Sequence, residues 1–201
     1  MKNYIFYHCT TINDFYERFL KTFSKIESSG LINNLEKFFV FVNGSTEKNL
    51  LIHNKINLIN SSLHPNESKT INQLRNFCID NKDCNILYLH CKGVTKQGNQ
   101  NVQSWIEMME YFLIERHERC IADLSNFDAL GTNFGGSPPH FSGNFWWATS
   151  NYISKLNQCE DSYYAPEMWV LSKHDANKIK CYFKTSKDLY YQSLQREEYE
   201  Y

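Results

Sequence analysis

Apolar positions along this chain switch between two periods, and the switching reads as strand, helix, strand. Tyr4 to His8 is a short aromatic and β-branched run that predicts a first strand. Behind it Phe15, Phe19, Phe23 and Ile26 recur at helical spacing, with Thr10 or Thr11 placed to cap that helix and Gly30 placed to stop it or open the next turn. Lys37 to Val42 is almost continuously apolar and ends at Asn43-Gly44, the pattern of a parallel strand covered on both faces. Ile56 to Ile59 is a weaker third strand. Asn66-Glu67-Ser68 opens a helix with Ile71, Leu74, Phe77 and Cys78 inward, and a fourth strand runs from Asn85 to His90.

The second half is less regular. From Val94 to Gln103 the chain is polar and flexible, and a long helix from about Asn101 to Cys120 then buries Trp105, Met108, Met109, Phe112 and Ile121 or their neighbours. Its Glu115-to-Arg119 stretch reads as a solvated face. Helices from Ser150 to Leu156 and around Glu167 follow, then a last strand from Ile179 to Phe183. Lys187 onward reads as a marginal helix or a frayed tail. Short connections between strands and helices predict an α/β fold in one domain over residues 1–201, its mixed, mainly parallel sheet of about five to seven strands having helices on both faces. Tyr4–His8, Phe38–Val42, Ile56–Ile59 and Ile86–His90 form the parallel core of that prediction.

Composition narrows the classes. Lys and Arg number 21 against 22 Asp and Glu, which argues against a nucleic-acid or anionic-membrane surface. No apolar run is long enough for a transmembrane segment, and the first residues are too polar for a signal peptide. Seven scattered cysteines without a C-x-x-C pair favour a reducing, cytoplasmic setting over a disulfide framework or zinc knuckle, so the sequons at Asn43, Asn60 and Asn66 carry no weight. His53, His64, His117 and His174 lack spaced metal-ligand partners and read as surface or locally bonded residues.

In open α/β sheets ligands collect beyond the carboxyl ends of the strands. His8, Asn43, His90 and Lys92 all fall there, and a lysine beside Gly93 can offer a point charge to a phosphate. Neither a dinucleotide fingerprint nor a Walker loop follows the strands, and Ser142-Gly143 lacks the first glycine of a nucleophile elbow. Two prolines lead into His140-Phe141-Ser142-Gly143-Asn144-Phe145-Trp146-Trp147, and Glu167-Met168-Trp169 follows. A rigid aromatic shelf beside small polar groups suits a sugar ring, and a tryptophan-rich core corner accounts for the same residues. Glu167, in apolar surroundings, is an acid–base candidate or a helix-terminal carboxylate; Asp161 and Asp128 are further acid–base candidates.

The ordered set Tyr88-to-Gly93, Trp105, His140-to-Trp147 and Glu167-Met168-Trp169 resembles a group of small glycosyltransferase-like proteins. It is more distantly similar to rhamnan-synthesis-type polysaccharide glycosyltransferases, over roughly residues 85–170. The resemblance implies a GT-A-like nucleotide-diphospho-sugar fold, with a nucleotide half at about 1–95, an acceptor half at about 96–185 and a tail at 186–201. It puts the donor nucleotide over the first strands, where His8 and Asn43 stand, and His90 and Lys92 near the diphosphate. A glycan or other hydroxyl acceptor would lie along His140, Gly143, Asn144, Trp146, Trp147 and Trp169, with Glu167 as the base. The Asp-x-Asp of metal-dependent relatives is replaced by His90-Cys91-Lys92, so Mn²⁺ or Mg²⁺ would lack its usual oxygen pair and a lysine stands in its place. A non-catalytic nucleotide-sugar- or carbohydrate-binding remnant of the same fold is the alternative, and a purely structural protein is the third reading.

Overall fold

The computed structural model describes residues 1–62 and 67–200, with the backbone alone at 60–62. His64 and Asn66 lie outside the described residues. Strand β1 (Lys2–Thr10) leads to helix α1 (Phe15–Ser28), β2 (Leu35–Asn43), β3 (Ile56–Ser62), α2 (Ser68–Asp80) and β4 (Cys84–His90). Helices α3 (Gln100–Glu110) and α4 (His117–Asp123) follow, then β5 (Ala129–Gly131), β6 (Phe134–Gly135), β7 (His140–Phe141) and β8 (Trp146–Thr149). The chain closes with α5 (Ser150–Ile153), α6 (Ala165–Trp169) and β9 (Ile179–Cys181).

Seven strands form one sheet in the order β3-β2-β1-β4-β8-β5-β9, while β6 and β7 pair as a separate small ribbon. β3, β2, β1 and β4 are mutually parallel, as their apolar runs predict. β8 is antiparallel to both β4 and β5, and β9 is parallel to β5, so β8 alone opposes the rest. The order reverses between β1 and β4: the chain steps from β1 outward to β2 and β3, then returns across β1 to place β4 on its other side.

Side chains of each central strand alternate between two cores, following the period of two. Ile5, Tyr7, Leu87 and Leu89 pack with α1 and α3 on one face, where Tyr7 and Phe19 meet edge to face at 5.5 Å. Tyr4, Phe6, Ile86 and Tyr88 pack with α2, α5 and α6 on the other, where Phe77 meets Phe6 at 5.3 Å. Phe15, Phe19, Phe23 and Ile26 bury one stripe of α1 as expected, and Gly30 takes the left-handed backbone (φ 78°) at the turn that follows.

Several local expectations are corrected. Neither Thr10 nor Thr11 caps α1, which starts after Asp14; Thr10 binds His8 and Thr11 donates to the Asn43 carbonyl at 3.1 Å. The long helix is interrupted by a π turn over Tyr111–Glu115, where the Arg116 N–H reaches back five residues to the Tyr111 carbonyl. Carbonyls displaced by that turn find side-chain donors: Leu113 accepts from the Trp147 indole at 2.8 Å and Ile114 from His117 Nδ1 at 3.0 Å. His117 is therefore buried, its other ring nitrogen meeting Asn34 Nδ2 at 2.9 Å, and Glu115 pairs with Lys25 rather than facing only water. Of the two readings of the tail the marginal helix holds, as one 3₁₀ turn over Arg196–Glu198, and Leu189, Leu194 and Tyr199 pack onto the α3 side of the core. β9 also ends early, at Cys181 instead of Phe183.

Candidate functional site

A cleft of about 500 Å³ opens where the strand order reverses, beyond the carboxyl ends of β1 and β4. β1 supplies His8 and Thr10 to its wall, and the turn after β4 supplies Cys91, Lys92 and Gly93. Glu67, at the start of α2, and Asp161, before α6, face it from the other side. A crevice between strands whose connections depart to opposite sides is the general ligand position of open α/β sheets.

Lys92 is aimed by a tight turn in which its N–H meets the His90 carbonyl at 2.7 Å and Gly93 adopts φ 89°. Its ammonium lies 3.8 Å from the ring centroid of Trp105, a cation–π contact. Burial pushes the Lys92 ammonium below its ordinary value, and Glu167 and Glu67 partly offset that shift. The charges of both carboxylates thus act on Lys92 at the cleft wall.

His90 also reaches the cleft, but protein groups take both its nitrogens. Nε2 donates to the Gly143 carbonyl at 3.0 Å, and Nδ1 faces the Glu67 carboxylate at 3.4 Å. In this arrangement the ring braces the cleft wall between Gly143 and Glu67. Glu67 is the residue that sequence reasoning missed. Its carboxylate accepts from the Tyr88 hydroxyl at 2.8 Å and from Asn144 Nδ2 at 2.9 Å. Burial pushes this carboxyl up, yet His90, His8 and the two hydrogen bonds hold it below the usual carboxylate range. The signal available in the sequence was its position, immediately before the helix that follows a strand end.

From Glu67 the bonding runs on across the cleft wall. Gly143 accepts from His90 and donates its N–H to Glu167 Oε1 at 2.7 Å, so this residue, with His90, links the two carboxylates. Glu167 Oε2 has no hydrogen-bond partner among the described residues. Gly143 needs to be glycine: φ is 96°, and a β-carbon there would sit 2.5 Å from Met109 Sδ. Asn144, also left-handed at φ 56°, is buried behind the cleft and accepts the Trp146 indole N–H at 3.0 Å.

The remaining expected contacts divide. His8 lines the cleft with its ring held by Thr70, Thr10 and Asn43, and Asn43 itself is buried behind it. Asp161 is at the cleft and accepts from Ser68 Oγ at 3.1 Å. Asp128 precedes β5 and therefore lies at the opposite edge of the sheet, away from any such chemistry. His140 stands in the small ribbon, donating to the Pro138 carbonyl and accepting from Ser142, outside the main cleft.

The aromatic shelf is also corrected. Trp146 and Trp147 are neighbours on β8, so they point to opposite faces of the sheet and both are fully buried. Trp146 stacks on Tyr88 at 5.1 Å, and Trp169 buries its indole against the Asn157 carbonyl at 2.8 Å. None of the three presents a face to a ligand; the core-corner reading holds for them.

All seven cysteines are free thiols, with Cys9 and Cys91 Sγ atoms 3.7 Å apart beneath the cleft. Among the described residues no three His, Cys, Asp or Glu side chains converge as a metal site, and two donors meet Glu67 at its Oε2. No helix among the described residues is long and apolar enough to cross a membrane. Among curated proteins none matches this sequence. Residues 37–199, which include the cleft residues from Glu67 to Tyr190, match the model of the family described as "Domain of unknown function (DUF8361)", and the chain belongs to that family.

Proposed function

We propose that the protein is a glycosyltransferase of GT-A-like fold, moving a sugar from a nucleotide-diphosphate donor to a hydroxyl acceptor on a glycan. The observation that carries the reading is the cleft at the strand-order reversal, with Lys92 on its wall and Glu167 close enough to act on the lysine's charge. A cation there can neutralise a departing diphosphate. Glu167 is anchored through one oxygen to the Gly143 N–H, which leaves Oε2 to take a proton from an acceptor hydroxyl. In an inverting transfer the freed oxygen attacks the anomeric carbon as the bond to the diphosphate breaks, and the leaving oxygens gather at Lys92. His90 and Glu67 act in this reading by holding Gly143, and through it Glu167, in place. Lys92 supplies in this reading the positive charge that a divalent cation would otherwise bring to the leaving diphosphate.

Calorimetric titration with UDP-, GDP-, ADP- and dTDP-sugars tests the donor half directly. We expect one class to bind and Lys92→Ala to weaken it by about tenfold, about 1.4 kcal/mol, without loss of fold. Binding that is equal in the variant removes Lys92 from the donor site, and silence from every nucleotide sugar removes the glycosyltransferase reading. Once a donor is known, Glu167→Gln should bind it normally and lose turnover by about 10²–10⁴-fold, followed by mass spectrometry of the product. Normal donor affinity in a wild-type protein that transfers to no acceptor would favour the non-catalytic binding remnant. The commitment of both His90 nitrogens to protein partners is the observation on that side.

A further inference from the structure

Tyrosines stand at the cleft where the sequence had suggested tryptophans. Tyr163 and Tyr190 both line the main cleft, and Tyr164 is the next residue along. Their rings are left in water to an unusual degree: Tyr163 is 88 % exposed, Tyr164 68 % and Tyr190 47 %. Tyr163 and Tyr164 meet edge to face at 5.0 Å, and Tyr190 stands edge-on to Trp105 at 5.4 Å. Burial pushes the Tyr190 hydroxyl up, and the charge of Glu167 and the hydroxyls of Tyr163 and Tyr164 act in the same direction.

Tyr190 belongs to a second cavity as well. This one is about 290 Å³ and lies beyond the carboxyl ends of β5 and β9, on the same edge of the sheet as the main cleft. Its wall carries hydrogen-bonding groups from Asn133, Ser142, Lys184 and Thr185. Trp105 lines this second cavity while its ring carries Lys92 of the first. Tyr190 is thus the ridge between two pockets.

Large exposed rings grouped at a cavity mouth mark a binding surface. A tyrosine offers a flat apolar face and a polar tip, with few torsions to freeze on binding. A pyranose matches that: its faces are C–H surface and its rim is hydroxyl. A nucleobase also stacks on a ring. One base covers one ring, however, whereas these rings border two cavities, and the second cavity supplies polar groups suited to hydroxyls.

We propose that the acceptor is an oligosaccharide chain, and that it stacks on Tyr163 and Tyr190 while running from the second cavity over the Tyr190 ridge into the main cleft. The word acceptor rests on the glycosyltransferase reading above; the binding itself does not require turnover. The site selects a polymer over a monosaccharide because a single sugar reaches only one of the two pockets.

The test is a printed array of defined oligosaccharides with their monosaccharides alongside, followed by calorimetry of the full chain with the best binder. We expect oligosaccharide binding that strengthens with chain length, and a loss of about tenfold in each of Tyr163→Ala and Tyr190→Ala, the size of one stacking contact. Tyr190→Phe keeps the ring and should keep most of the affinity. Exposed rings can be replaced with little effect on folding, and unchanged melting temperatures check this. Titration of the same variants with UDP and GDP separates the two proposals. Array silence beside normal nucleotide-sugar binding overturns the oligosaccharide platform and leaves the donor site standing. Tyrosine-dependent oligosaccharide binding without any nucleotide affinity upholds the platform and removes glycosyl transfer. Variants that lose nucleotide affinity instead of saccharide affinity would assign the rings to a base and overturn the proposal.

Discussion

Gly143 shows how much of the site depends on one backbone position. Its carbonyl holds His90, its N–H holds Glu167, and its α-carbon sits where a methyl would meet Met109 Sδ at 2.5 Å and Trp105 Nε1 at 3.1 Å. Gly143→Ala should cost about 2–4 kcal/mol in urea unfolding, from overpacking added to a left-handed backbone that an L side chain resists. The same variant should weaken donor and acceptor binding together, because Glu167 directly and Glu67 through His90 are tied to that residue. Stability within about 0.5 kcal/mol of wild type would mean that Met109 and Trp105 give way freely. Lys92 and Glu167 were legible as residues of interest from chemistry and position. Trp146 and Trp147 were misread because residue type was weighed before strand period. In a strand buried on both faces, adjacent residues cannot share a ligand-facing side, so a Trp-Trp pair there belongs to two cores. Glu67 was hidden by its helix-opening role, since nothing local in the sequence reveals that Tyr88 and Asn144, far along the chain, converge on its carboxylate.

At the scale of elements, helical stripes and apolar strands were readable because each reflects a local period. The join between α1 and α3 was not, because it is made by charge. Arg18 of α1 pairs with Glu110 at the end of α3, both buried, and Thr22 adds a 2.8 Å hydrogen bond to the same carboxylate, with Lys25 at 3.7 Å. Glu110 is also the last residue before the π turn, so the pair fixes the point at which the helix changes its winding. Removing one partner of a buried pair strands the other charge without solvent. Glu110→Ala should therefore destabilise the protein by about 3–5 kcal/mol, measured by chemical denaturation, whereas Arg18→Met with Glu110→Leu should recover much of that loss. If the single variant costs under about 1 kcal/mol, the pair behaves as a surface ion pair and the two helices are joined by packing alone. The anchoring of the tail was hidden for a related reason. Its Tyr, Glu and Gln content looks solvated, but Leu189, Leu194 and Tyr199 anchor it, and Arg196 pairs with Glu115 of the π turn at 3.0 Å.

For the whole molecule, the sheet and the cleft share one set of titrating groups, so the pH dependence of stability reports on the site. Glu67 joins α2, β4 through Tyr88 and His90, and the loop before β8 through Asn144. Its carboxyl is held below the ordinary range in the folded protein. As pH falls, the unfolded chain therefore protonates this group first, near the free glutamate value of about 4.3. The stabilisation it supplies is complete above that value and is lost as pH drops through the lower, folded one. Glu67→Gln keeps the shape and some hydrogen bonding but removes the titration. The variant should be less stable than wild type at neutral pH, and the gap between the two should narrow as the solution is acidified below about pH 4.5. Urea denaturation at a series of pH values measures this, with the distance between the two curves as the quantity of interest. Curves that stay parallel to the lowest pH at which both proteins fold would show that Glu67 keeps an ordinary carboxyl. The link from Tyr88 through Glu67 and His90 to Gly143 would then be a packing contact instead of an ionic brace, and Glu167 would owe its position to the Gly143 turn alone.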